Sequence, residues 1–257
     1  MGIRTEYRLK ETFDHNILSV IYDADSFFYV VSDLQNQLIS AVKYEIEGNS
    51  SEEIKEIIRK ENLSDHLYTE VRIFNRLNDF TFVPVNEYDY KNEDAFVRNA
   101  FDSTSQQRSI DLYSGERIHI VHESNDEILE ALSSITGNRS VNHVSLAWLE
   151  SIHEDGLYAF KDKGFLSIFV MQNDQFQFYN QFSIKTSQDA LYFIMLVFQK
   201  LNLDVETFRI YVEGLEVEEL KQTLKDYIVN VDSTSMGFSN IEDSSTIFDL
   251  YLVSICE

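Results

Sequence analysis

The run Ile17-Leu18-Ser19-Val20-Ile21-Tyr22, then Asp23-Ala24-Asp25-Ser26, then Phe27-Phe28-Tyr29-Val30-Val31, decides how this chain is read. Two short runs rich in β-branched and aromatic residues, parted by a polar turn, predict a β-hairpin. A second polar turn and the stretch Gln37 to Ile46 extend it to a three-stranded meander. Residues 1–14 read as a polar lead-in.

Downstream, Asn49-Ser50-Ser51 supplies N-cap residues, and Ile54, Ile57 and Ile58 fall at helical spacing within Glu52 to Asn62. Strands are expected at Glu70–Asn75 and Asp79–Pro84. Residues 86–115 are polar and weakly patterned, with a short helix expected from Glu93 to Phe101. Arg117–His122 reads as a strand, Asp126–Ile135 as a helix, and Val141–Ile152 as a strand passing into a helix.

The opening pattern then returns. Phe165-Leu166-Ser167-Ile168-Phe169-Val170 is a strand, Gln172-Asn173-Asp174 a turn, and Gln175 to Ile184 a long extended stretch. Ser187–Leu201 carries a capping pair, Ser187 with Asp189, and enough apolar residues for a buried helix. A strand at Phe208–Val212, an amphipathic helix at Val217–Tyr227, a short strand at Val229–Asp232 and a last apolar segment at Ile247–Ile255 complete the chain. Ile17-Leu18-Ser19-Val20-Ile21 aligns with Phe165-Leu166-Ser167-Ile168-Phe169, and each meander leads to a helix and then a strand. The reading is an internal duplication, with halves at residues 1–155 and 156–257.

A repeated β-β-β-α-β unit resembles the build of the actin and sugar-kinase type ATPases, whose α/β body consists of two ribonuclease-H-like halves. The run Phe178-Tyr179-Asn180-Gln181-Phe182, then Thr186, then Asp189-Ala190-Leu191-Tyr192-Phe193-Ile194, is similar to an uncharacterised bacterial family of this actin-like fold. So are Phe80-Thr81-Phe82-Val83-Pro84 and Leu250-Tyr251-Leu252-Val253-Ser254-Ile255-Cys256. The resemblance implies a fold and no assigned activity.

It also implies where a nucleotide would sit. In working members of the fold, the first hairpin of each half pairs an acid with glycine, so that backbone amides hold phosphate and acids position Mg²⁺. A later glycine pair makes room for adenosine. Here the first candidate loop, around Asp23 and Asp25, keeps the acid without glycine. The second, around Asn173 and Asp174, also lacks glycine. The adenosine candidate, Val212-Glu213-Gly214-Leu215-Glu216, keeps one glycine between acids. No basic residue lies in any of these three loops, so phosphate would meet like charge. The expectation is a binding or scaffold protein with degenerate nucleotide loops and no cofactor.

Asp23-Ala24-Asp25 after an apolar strand also resembles the first motif of phosphotransferases that use an aspartate nucleophile, and two carboxylates on one turn can hold Mg²⁺. That gives the alternative, a Mg²⁺-dependent phosphotransferase or phosphohydrolase using Asp23 and Asp25. The mechanism asks for a further acidic pair, and no Asp-Asp occurs. His119 and His122, on one strand, are expected to point to opposite faces, and His143 and His153 have no third partner at ligand spacing. No metal site is expected. Cys256, the one cysteine, sits in an apolar segment and reads as a packed, unreactive thiol.

Composition narrows the partners. Asp and Glu number 44 against 21 Lys and Arg, a net charge of −23. Such a chain repels nucleic-acid phosphate and anionic membrane surfaces, which leaves a protein as the expected partner. Glycine appears 8 times and proline once, at Pro84, so material for phosphate-cradling loops is scarce. Met1 to Lys10 is charged, and the longest apolar stretch, Ala190 to Phe198, is far below the roughly 20 residues a membrane-spanning helix needs. A cytoplasmic location is the expectation.

Overall fold

A computed structural model describes residues 2–10, 13–47, 50–89, 108–113, 117–136, 141–241 and 244–256. The short helix expected at Glu93–Phe101 lies outside them. The chain divides into two compact units, Met1–Glu150 with Leu252–Glu257, and Ser151–Tyr251.

The first unit is built on a six-stranded sheet. The meander forms as its pattern predicts: β2 (Ile17–Tyr22), β3 (Ser26–Ser32) and β4 (Leu38–Glu45) pair antiparallel in sequence. Every residue of β2 and β3 is buried, so the sheet is covered on both faces, and near-continuous apolar runs serve it better than alternation. β5 (Glu70–Asn75) adds parallel to β2, and the two-residue β9 (Asn142–His143) adds parallel to β5. The supposed lead-in is a strand, β1 (Gly2–Arg8), antiparallel to β4 at the sheet edge. Its charges disguise it in the sequence, and an edge strand tolerates them because one side meets water.

Helix α1 (Ser50–Lys60) places Ile54, Ile57 and Ile58 against this sheet, and α2 (Asp126–Thr136) adds Ile128, Leu129 and Leu132 to the same core. Just past α1, buried Glu61 accepts hydrogen bonds from Tyr29 (2.7 Å) and Tyr44, and Arg8 Nη2 lies 2.7 Å from its carboxylate. This carboxylate ties β1, β3 and β4 to the helix end. A separate three-stranded sheet has β8 (Ile118–Glu123) between β6 (Phe80–Pro84) and β7 (Arg108–Tyr113). β7 is absent from the sequence reading because its residues alternate with Arg108, Asp111 and other polar groups. Helix α3 (Val144–Ser151) follows β9 directly.

The second unit carries a five-stranded sheet. Its meander begins one strand earlier than the sequence reading placed it. β10 (Gly156–Asp162), β11 (Phe165–Gln172) and β12 (Gln175–Ser183) pair antiparallel, and β13 (Ile210–Gly214) then joins β10 in parallel, with β14 (Val231–Asp232) beside it. The strand that neighbours a parallel partner is β2 in the first unit and β10 in the second. Ile17–Tyr22 therefore corresponds to Gly156–Asp162, and the earlier match to Phe165–Phe169 is off by one strand.

Helix α4 (Ser187–Lys200) is capped by Thr186, not Ser187: the Thr186 hydroxyl accepts from Asp189 N, and Asp189 accepts from Thr186 N. It is only half buried. Ala190, Ile194, Val197 and Phe198 enter the core, while Leu191, Phe193 and Met195 are partly covered and Tyr192 is 61% exposed. α5 (Glu218–Leu224) buries Leu220 and Leu224 on the same side. The last apolar segment is a helix, α6 (Phe248–Ile255).

Candidate functional site

The first hairpin is a short loop closed by its own aspartate. Asp23 Oδ1 accepts from the Asp25 amide (2.9 Å) and from Ser26 Oγ (2.5 Å). Asp23 Oδ2 accepts from Arg76 Nη2 (2.6 Å) and Nε (3.1 Å). Parallel pairing explains the meeting: Tyr22 is in register with Asn75, so the next residue on each strand, Asp23 and Arg76, end side by side. Arg76 is 5% exposed, and its guanidinium lies over the Phe28 ring, 4.6 Å from its centre. Four donors fill the roughly four acceptor positions of a carboxylate. Asp25 is exposed, and its carbonyl accepts from Ile46 N at 2.8 Å.

Beside this loop, at the carboxyl ends of β5 and β9, the chain buries a polar cluster. Asn75 Nδ2 donates to the Glu123 carbonyl (2.8 Å) and lies 3.0 Å from His122 Nδ1. Asp111 Oδ2 accepts the His143 amide (2.6 Å) and sits 3.3 Å from His122 Nε2. The His122 and His143 rings are 5.6 Å apart, whereas His119 packs on Tyr88 and His153 is exposed. Strands β7 and β8 are thus fastened over the position where parallel sheets usually receive ligands. Among the described residues, no group of three or more His, Cys, Asp or Glu is gathered for a metal ion.

The Ser145 amide can only donate, so His143 Nδ1, 3.2 Å away, is the acceptor. The ring proton then sits on Nε2 and is donated to the Leu77 carbonyl at 3.1 Å. Burial, with the neighbouring His122, holds the His143 pKa well below the ordinary histidine value.

In the second unit, Asn173 and Asp174 form the β11–β12 turn. Both are left-handed, at φ 57° and 56°, and their amides are held by Asp155 at 2.9 and 3.1 Å. This is the second hairpin of its meander. The counterpart of the Asp23 loop is Asp162-Lys163-Gly164, between β10 and β11. It holds an acid, a lysine and a glycine at φ +84°, so this position does have the glycine and the basic residue that the sequence reading found lacking. Asp162, 3% exposed, accepts from the Lys163 amide at 2.8 Å. A cavity of about 290 Å³ lies there, lined by Lys161, Lys163 and Lys185 and by the acids Asp162 and Glu216. The missed signal was the apolar run Leu157–Phe160 ahead of Asp162.

Gly214 ends β13 at φ +117°, and a Cβ there would lie 1.9 Å from the Lys161 carbonyl oxygen. Its glycine is required by the close passage of two strands. Lys161 and Leu215 are cross-linked: Leu215 N donates to Lys161 O (2.7 Å), and Lys161 Nζ to Leu215 O (2.9 Å). Past Gly214 opens a cavity of about 630 Å³, lined by hydroxyls such as Ser233, Ser244 and Ser245 and by Glu213, Glu216 and Glu218. Its lysine, Lys221, already donates to Glu218 (3.2 Å) and Ser233 (2.8 Å). Such a lining suits a ligand rich in hydrogen-bond donors better than a phosphate.

Residues 10–231 match the family described as Protein of unknown function (DUF3822). No curated protein matches the chain. A Bacteroides thetaiotaomicron protein with an actin-like ATPase fold and unknown function superposes with a TM-score of 0.78 at 15% identity, over 95% of this chain and 97% of that one. A PilM–PilN type IV pilus biogenesis complex gives 0.54 at 12% identity, over 95% and 97%. The cytoplasmic domain of EpsL from Vibrio cholerae gives 0.51 at 12% identity, over 93% and 94%. The fold is that of the actin-like ATPases.

Proposed function

The chain belongs to the DUF3822 family, and from that premise we propose that it is a non-catalytic binding or scaffold protein made of two related halves, residues 1–155 and 156–257. One observation carries this reading: the acid of the first hairpin is spent on the chain's own arginine. Asp23 is held by Arg76, Ser26 and the Asp25 amide, so an internal cation stands where a metal or phosphate-bearing ligand would have to enter. The Asn173 and Asp174 amides are likewise occupied by Asp155, and Gly214 serves strand packing.

The phosphotransferase reading needs a carboxylate free to take phosphoryl or Mg²⁺. Displacing a buried arginine to free Asp23 costs several kilocalories per mole, which weighs against that chemistry. The cavity beside Gly164, lined by lysines and acids together, has room for a small ligand at most, because its volume of about 290 Å³ is at the low end for ligand pockets.

A protein partner fits the charge of −23 and the precedent of the fold. The PilM–PilN structure is a complex, and EpsL is an inner membrane component of a type II secretion system, so the fold stands in larger assemblies there. For this chain that is an analogy of fold. No helix among the described residues is long and apolar enough to cross a membrane. A cytoplasmic location is a separate part of this proposal. Isothermal titration with Mg²⁺-ATP tests the reading. No heat at millimolar nucleotide is expected, and one site per chain at micromolar affinity would overturn it.

A further inference from the structure

Arg8 ends β1, and through the strand register it stands level with Ser40, Val31 and Leu18. That is the foot of the first sheet, the end away from Asp23. A cavity of about 540 Å³ opens there, lined by Arg8, Lys10 and Phe13 and by Lys60 and Glu61 at the end of α1. Its volume falls within the usual range for small-molecule sites.

The charge of this cavity runs against that of the chain. Acids outnumber Lys and Arg by 44 to 21 overall, yet here Arg8, Lys10 and Lys60 meet one acid, Glu61. The cavity past Gly214 sets one lysine against three glutamates, and the cavity beside Gly164 sets three lysines against two acids. Glu61 is moreover spent inward. Its side chain, 3% exposed, accepts from Tyr29, Tyr44 and Arg8, which fills three of the roughly four acceptor positions of a carboxylate.

The groups left over are mostly donors. Arg8 uses Nε on Glu6 and Nη2 on Glu61, which leaves Nη1. Lys60 Nζ lies 5.2 Å from the centre of the Tyr44 ring, and among the described residues neither it nor Lys10 pairs with an acid. The apolar part of the wall is Leu9, 47% exposed, and Phe13, whose ring meets that of His66 at 4.9 Å.

We propose that this cavity binds a small organic dianion with two carboxylates. Lys10 and Lys60 balance its charges, Arg8 Nη1 donates to it, and its carbon chain lies on Leu9 and Phe13. A phosphate concentrates its charge at one point and is commonly cradled by amides at a helix N-terminus. Here the cations come from separate places, the end of β1 and the end of α1. The helix end presented is also the carboxyl end, whose carbonyls oppose concentrated negative charge. Polyanions are turned away by the net charge of −23, whereas a small dianion inside the cavity answers to the nearest charges.

Isothermal titration of the full chain with succinate, glutarate and adipate tests the proposal. At least one is expected to bind at one site per chain with a dissociation constant of about a millimolar or tighter. Added salt should weaken it. Butyrate, with one carboxylate, should bind at least tenfold more weakly. The double variant Lys10→Gln, Lys60→Gln should also lose at least tenfold, with thermal unfolding unchanged, because both side chains are exposed and Arg8 still holds Glu61. No saturable binding by any of the three, binding indifferent to the double variant, or tighter binding of inorganic phosphate overturns the proposal. None of these outcomes touches the Asp23 loop at the other end of the sheet. Heat from Mg²⁺-ATP that persists in the double variant bears on the loops and not on this cavity.

Discussion

Arg76 grips Asp23 through two nitrogens, Nη2 at 2.6 Å and Nε at 3.1 Å, across the ends of two parallel strands. The arginine side chain is 3% exposed and the aspartate 17%, so water screens the pair little. Removing one partner strands a charge. Arg76→Ala should lower unfolding free energy by about 3 kcal/mol, because the orphaned carboxylate keeps only its Ser26 and Asp25 donors. Asp23→Asn should cost as much, roughly 3 kcal/mol, because its amide oxygen still accepts from Ser26 and the Asp25 amide but the buried Arg76 loses its counter-charge. Urea unfolding measures both. A loss under about 1 kcal/mol for Arg76→Ala would class the contact with surface pairs and remove the main support for the scaffold reading.

Gly214→Ala asks whether that glycine is kept for packing. The added methyl meets the Lys161 carbonyl at 1.9 Å, and φ +117° disfavours any side chain. The β10–β13 crossing must open, at a cost of at least about 2 kcal/mol. Gly164→Ala is the contrast. Its φ of +84° carries strain, but nothing lies within 4 Å of the new carbon, so the loss should be about 1 kcal/mol. Equal losses at the two positions would mean that Gly214 is not a packing glycine.

Most of this architecture was legible because periodicity reports burial. β2, β3 and β11 are almost wholly buried, and their apolar runs announce them. The failures have physical causes. β1 carries the exposed Glu6 and Arg8, and β7 spends Asp111 on the buried His143 amide, so neither strand shows a clean apolar alternation. β10 ends in Lys161 and Asp162, and with no strand expected at Gly156–Asp162 the internal repeat was placed one strand late. That error moved the second hairpin from Asp162–Gly164 to Asn173 and Asp174. Arg76 was invisible for another reason: only the parallel register of β2 and β5 brings it to Asp23, and no local pattern encodes that pairing. The His122–Asp111–His143 cluster is assembled by two sheets in the same non-local way.

Cys256 should behave as an inert thiol. It is buried, and Sγ donates to Glu150 Oε2 at 2.9 Å. Burial, then the hydrogen bond to Glu150 and its charge, pushes the thiol far above its ordinary pKa. Thiolate is the reactive species, so the native chain should react with Ellman's reagent roughly a hundredfold or more slowly than a free cysteine. The reaction should complete on adding denaturant. Rapid labelling of the folded chain would show that α6 opens readily at its end.

His143 predicts how the protein responds to acid. The ring is wholly buried, takes the Ser145 amide on Nδ1 and gives its proton to the Leu77 carbonyl. A second proton must go on Nδ1, where it meets the Ser145 N–H head-on at the start of α3. The folded-state pKa is therefore lower than the unfolded value of 6.5. Between those two values the unfolded chain binds the extra proton and the folded chain does not. Stability is complete above pH 6.5 and falls as pH drops below it, with a slope approaching about 1.4 kcal/mol per pH unit for this group. Urea unfolding at a series of pH values from neutral to about 5 measures the slope before most carboxylates titrate. His143→Gln is expected to be less stable at neutral pH, because no amide side chain reproduces both bonds, yet its stability should change less with pH across that window. The difference in slope, not in level, is the signature. Parallel slopes for the two proteins would mean that His143 takes its second proton without disturbing the fold, and that the acid response originates in another group.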